Sequence, residues 1–212
     1  MRHFVEACCT SVEAVREACL LGFGRIELCE DLLVGGVTPS EELIRETMAL
    51  STVPVNVLVR PRGGDFVYNE AEIRQMVGDI VKCRALGVNG IVIGALDTDG
   101  HVDLASMRRL IEAAGGALPR PLEVTFHKAF DECADPFGAL EEIAALGCGR
   151  VLTSGQAGTA LEGSALIGAL VRRSPARLTI MVGGSVRPSN IDTIQAATFA
   201  TEFHTSFLSS DY

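Results

Sequence analysis

The chain has no tryptophan, and aromatic residues make up only 5% of its 212 positions. A core without large rings has to be aliphatic, and 48% of the residues are apolar, too many for a disordered chain. No apolar run approaches the roughly 18 residues needed to span a bilayer, so no membrane partner is expected. The N-terminus, Met1-Arg2-His3-Phe4-Val5-Glu6, sets a carboxylate where a secretion signal needs its apolar stretch. The seven cysteines are odd in number, show no CxxC pair and follow no signal, so reduced thiols in a cytoplasmic protein are expected. Basic charge is also scarce: 18 Lys and Arg stand against 27 Asp and Glu, a net charge of −9. Such a chain repels a phosphate backbone, which excludes general nucleic-acid binding but not a small anion held by a few arginines. The 22 glycines have no three-residue period, which excludes collagen. Linkers, charge blocks and low-complexity segments are missing too, so residues 1–212 read as one domain.

What is present is an alternation. Short β-rich runs fall at His3–Cys9, Arg25–Cys29, Val55–Arg60, Gly90–Gly94, Leu122–His127, Arg150–Thr153, Leu178–Val182 and Glu202–Thr205. Helical periodicity separates them at Ser11–Leu21, Ser40–Leu50, Glu70–Leu86, Leu104–Ala114, Pro136–Leu146, Gly163–Arg173 and Pro188–Ala196. Ser11, Ser40 and Asp135 offer N-caps, and Leu-Gly recurs at 21–22, 86–87 and 146–147, before successive strands. Eight strands alternating with helices predict a parallel sheet. With no GxGxxG after the first strand, the closed form is favoured: an α/β fold, the (β/α)8 TIM-type barrel. The residues after Thr205 are too few for an eighth covering helix, so the barrel is expected to be short at its C-terminus or covered there by another subunit.

Side chains on a strand alternate between faces, and the outer face of a parallel barrel packs on helices. Placing Val5, Ala7, Ile26, Leu28 and the valines of the third strand outward turns Glu6, Cys8, Glu27, Cys29, Asn56, Leu58 and Arg60 inward. By the same rule Glu123, Thr125, His127, Glu202 and His204 point inward. Barrel interiors are usually filled by Val, Ile and Leu, so this concentration of charge needs a reason. One is a structural network in which Arg60 neutralises Glu6 and Glu27. The other is a polar site at the C-terminal ends of the strands, with Glu27, His127, Asp131 and His204 as acid–base candidates. His127 serves equally as a satisfied core residue.

Three loops suit an anion. Arg60 and Arg62 flank Pro61 and precede Gly63-Gly64; Ser154-Gly155 follows the sixth strand; Gly183-Gly184 follows the seventh, the usual phosphate position of this fold. Turns also need glycine, which leaves each loop open to a purely structural reading. Cys8 and Cys29 end adjacent strands on one face, and two such thiols suit two-coordinate Cu(I); small thiols also simply fill core gaps.

These residues resemble the CutC family, the copper-homeostasis proteins. The resemblance is carried by Glu27-Leu28-Cys29, Gly35–Ser40, Arg60-Pro61-Arg62-Gly63-Gly64-Asp65-Phe66, Asp97–Asp103, Thr125–Asp131 and Arg150–Gly155. It implies a cytoplasmic (β/α)8 barrel that forms homo-oligomers and has a role in copper tolerance or trafficking. Two family cysteines proposed as Cu(I) ligands fall on Cys8 and Cys29. The chain departs from the family in stopping at Tyr212 and in carrying Ser185 after the glycine pair. A site this polar exceeds the needs of two thiols, so the alternative is an enzyme acting on a small anionic, for instance phosphorylated, substrate.

Overall fold

Helix starts in the computed structural model, which describes residues 3–115 and 121–207, follow the side-chain acceptors in the sequence. Ser11 Oγ accepts the Ala14 N–H and opens α1 (Val12–Leu21); Ser40 Oγ accepts the Leu43 N–H and opens α2 (Glu41–Leu50). Asn69 and Glu72 form a reciprocal capping box at the start of α3 (Glu70–Ala85). Asp103 caps α4 (Leu104–Ala113), and Asp135 caps α5 (Pro136–Leu146), whose first residue is the pre-set Pro136. α1 and α5 end on Gly22 and Gly147 at φ 79° and 90°, a conformation that a side chain would disfavour. α6 spans Ser164–Arg173. α7 runs over Ile191–Thr198, three residues later than the proline at 188 suggests. There the Asn190 side chain accepts the Arg187 N–H and donates to the Ser185 carbonyl, folding residues 185–190 into a turn instead.

The strands are β1 (Phe4–Cys9), β2 (Arg25–Leu28), β3 (Val55–Leu58), β4 (Gly90–Ile93), β5 (Glu123–Phe126), β6 (Arg150–Thr153), β7 (Thr179–Val182) and β8 (Glu202–Ser206). Each pairs in parallel with the next, and β8 pairs with β1, so the sheet is a closed barrel in chain order. Seven helices cover it among the described residues. The place of an eighth, beyond residue 207, lies outside those residues.

The face assignment follows the alternation. Val5, Ala7, Ile26, Leu28, Val55, Val57 and Val59 join the apolar layer between barrel and helices. Cys8, Cys29, Leu58 and Val92 form a separate small apolar cluster inside the barrel. Glu6, Glu27, Asn56 and Thr125 are buried beside them.

The charged interior differs from the expectation built on Arg60. The cation that neutralises Glu6 is Arg25, its neighbour in the β1–β2 register, through Nε at 2.5 Å. Arg25 also reaches Glu202 at 2.9 Å; Arg150 bonds Glu202 at 2.8 Å and Glu123 at 2.6 Å. This chain of alternating charges ties together β1, β2, β5, β6 and β8. Arg60 is absent from it because it sits past the end of β3, one layer nearer the mouth.

Candidate metal and ligand site at the barrel mouth

The ends of β1, β2 and β8 deliver three kinds of donor to one place. Cys8 and Cys29 bring their Sγ atoms to 3.4 Å. A ligand atom from each of Cys8, Glu27 and His204 lies within 4.8 Å of the other two. The β1–β2 pairing sets Cys8 opposite Glu27, and the β1–β8 pairing sets Glu6 opposite His204. His204 Nδ1 contacts Glu6 Oε1 at 2.9 Å and Glu27 Oε2 at 3.7 Å. These side chains line a cavity of about 230 Å³ that is completed by Arg60, Phe66, His127, Lys128, Leu152 and Ser206, among others.

Burial and neighbours set the protonation states. Burial raises the Glu27 carboxyl to about 7, against the opposing pull of His204. Glu6 stays below the usual carboxylate range, because its hydrogen bond to His204 and the Arg25 charge together overcome burial. The two carboxylates hold His204 above an ordinary histidine despite its burial. The Cys8 thiol is pushed well up by its contact with Cys29 and by burial, so Cys8 rests protonated. Thiols in contact, with a carboxyl and an imidazole beside them, are a donor set that a soft ion fits.

His127 works differently. Its Nδ1 accepts the Ala129 N–H at 3.1 Å, so the ring proton belongs on Nε2. Burial, then the Arg60 charge, drive its pKa down to about 3, which keeps the ring neutral. It lies against Phe66, with ring centroids 4.8 Å apart. Gly94 gives it room: a Cβ there would come within 2.6 Å of the ring.

Several sequence candidates lie elsewhere. Asp131 makes no hydrogen bond or ion pair with His127 among the described residues. Its carboxylate accepts from Thr153 Oγ1 at 2.5 Å, from Ser154 N–H and Oγ, and from the Gln156 N–H. The Ser154-Gly155 loop therefore does cradle an anion, and that anion is Asp131. Gly183 donates its N–H to the Thr153 carbonyl, and Gly184 packs on Ser154, where a Cβ would approach to 2.7 Å. Arg62 turns outward after the bend at residues 61–64. It spends its donors on Glu72, Asp65 and the Val67 carbonyl and lies over the Tyr68 ring, so it does not share the cavity with Arg60. Gly63 packs on Val34, and the Gly64 carbonyl accepts from Arg60 at 2.6 Å. Arg25 is the functional-layer residue that strand reading missed. It has the same parity as Glu27 and Cys29, so alternation alone marks it as inward.

Residues 3–209 match the family model described as the CutC family. A CutC family protein of Parabacteroides distasonis is 49% identical over 213 residues, covering 100% of this chain and 86% of the relative. The copper homeostasis protein cutC homolog of Mus musculus is 45% identical over 206 residues, covering 97% of this chain and 74% of the relative. A crystal structure of CutC from Streptococcus agalactiae superposes with a TM-score of 0.88 at 33% identity, covering 95% of this chain and 97% of that one. Phosphonopyruvate hydrolase, at 15% identity and a TM-score of 0.68, shares the barrel fold.

Proposed function

The chain belongs to the CutC family, and on that basis we propose that it acts in copper homeostasis by holding Cu(I) between the thiolates of Cys8 and Cys29 at the barrel mouth. The observation that carries this reading is the 3.4 Å approach of two buried sulfurs contributed by adjacent strands. Soft thiolate ligands select Cu(I) over the harder divalent ions. Glu27 and His204 stand within reach of Cys8 to supply a third donor or to take up the proton that thiolate formation releases. Copper is cargo in this reading, and no reaction at carbon is assigned. A cytoplasmic setting is proposed from the seven unbridged cysteines, which a reducing compartment preserves. A homo-oligomer is proposed from the apolar side chains left at the surface, Leu20, Leu33 and Phe199.

Titration with a competing Cu(I) chelator under reducing conditions tests the site. Wild type is expected to withdraw one ion per chain, and Cys8→Ser/Cys29→Ser to withdraw none. Equal binding by the two proteins would remove the thiol site.

A further inference from the structure

Two buried side chains at the barrel mouth hold hydrogen-bond donors that no protein group uses. Arg60 gives Nη1 to the carbonyls of Val34 and Gly36, both at 3.0 Å, and Nη2 to that of Gly64. Its Nε is buried and has no partner. His127 spends Nδ1 on the Ala129 N–H, and its Nε2 is likewise buried without a partner. The two residues are 5% and 4% exposed, and both line the cavity that holds the thiols. They flank one ring: the Arg60 guanidinium carbon lies 4.8 Å from the centroid of Phe66, and the His127 ring centroid is also 4.8 Å away.

Arg60 makes no ion pair among the described residues. Its positive charge is met by backbone carbonyls, an aromatic face and the nearby buried hydroxyl of Tyr68, none of which carries a counter-charge. Arg25, the other buried arginine among the described residues, is matched by Glu6 and Glu202. A buried cation without a counter-charge is costly, and so is a buried donor without an acceptor. Both costs fall on the lining of one cavity.

We propose that this cavity binds a small organic carboxylate, which accepts hydrogen bonds from Arg60 Nε–H and His127 Nε2–H. Leu58, Phe66 and Leu152 supply an apolar wall for its carbon skeleton. Lys128 and His204 also line the cavity, but each already faces a carboxylate, Asp131 and Glu6 respectively. The cation left to match one carboxylate is Arg60, with its own unspent donor and that of His127. A phosphate, with three acceptor oxygens, would look for a cradle of backbone N–H groups, and the one after β6 is already filled by Asp131. The volume of about 230 Å³ falls below the ~300–1,000 Å³ of pockets for drug-sized molecules, which limits the ligand to a few carbons. The proposal does not depend on copper, because its donors come from the β3 and β5 ends and the thiols from β1 and β2.

The test is calorimetric titration of reduced, chelator-treated full-length protein with pyruvate, lactate and malonate, alongside inorganic phosphate and uncharged acetamide. At least one carboxylate is expected to bind saturably, and acetamide not at all. Arg60→Gln and His127→Leu should each weaken that binding by at least about tenfold. Arg62→Gln, whose side chain turns away from the cavity, should match wild type. In wild type carrying isotope-labelled histidine, the Nε2 resonance of His127 should shift on binding, a readout that needs no variant. The proposal is overturned by the absence of saturable binding in wild type, by phosphate binding tighter than every carboxylate, or by a silent His127 resonance. Unchanged affinity in Arg60→Gln and His127→Leu proteins that melt like wild type would overturn it as well.

Discussion

Glu27 shows what one inward carboxyl costs the fold. Its pKa, near 4.5 in the unfolded chain, rises to about 7 when buried. A carboxyl raised on folding stabilises fully below the unfolded value, and that contribution drains away as pH climbs through the folded value. Glu27→Gln is therefore expected to melt higher than wild type at pH 8, by on the order of 2–3 kcal/mol, and to lose the advantage below about pH 5. Melting curves across that range check it; an advantage independent of pH would show that ionisation is not the cause. At this scale much of the site was legible from period-two alternation: Cys8, Glu27, Cys29, Arg60, His127 and His204 all line one cavity. The partner of Glu6 is Arg25 and not Arg60, because Arg25 opens β2 directly opposite Glu6 whereas Arg60 lies past the end of β3. The direction of Arg62 was not legible. It depends on the bend after Pro61 and on Glu72, which is already engaged with Asn69 at the start of α3.

Elements show the same division between periodic and aperiodic information. Strands and helices were placed by repeats of apolar residues and by caps that act locally, such as Asp135 before Pro136. Loops were not, because their shape is fixed by long-range hydrogen bonds. Asp131 illustrates this: its position beside the His127 motif suggested proton transfer, yet it joins the segment after β5 to the loop after β6. Asp131→Asn replaces one acceptor oxygen by a donor that faces the Ser154 and Gln156 N–H groups. A loss of about 2–3 kcal/mol is expected, with faster hydrogen exchange at those two amides and unchanged Cu(I) affinity. Wild-type stability in that variant would mean the carboxylate is not the clamp.

For the whole molecule, barrel closure was legible from the count of alternating units and the missing dinucleotide fingerprint. The state of assembly was not, since it depends on which apolar side chains remain outside after folding. Leu33 is 99% exposed and Phe199 68%. Sedimentation is expected to show a species heavier than the 22.5 kDa chain at micromolar concentration. A single monomeric boundary at every concentration would rule out the homo-oligomer.

The placement of Glu202 has a bearing on how the protein is made. It sits on the last strand yet serves Arg25 from the second and Arg150 from the sixth. A ribosome releases those two arginines long before their shared acceptor leaves the exit tunnel. Until β8 docks, two guanidiniums face an unfinished interior, and the seam between first and last strands stays open. Glu6 and Glu123 already offset those two charges, so what β8 adds on docking is the bridge between the arginines and the closed seam, not their first counter-charge.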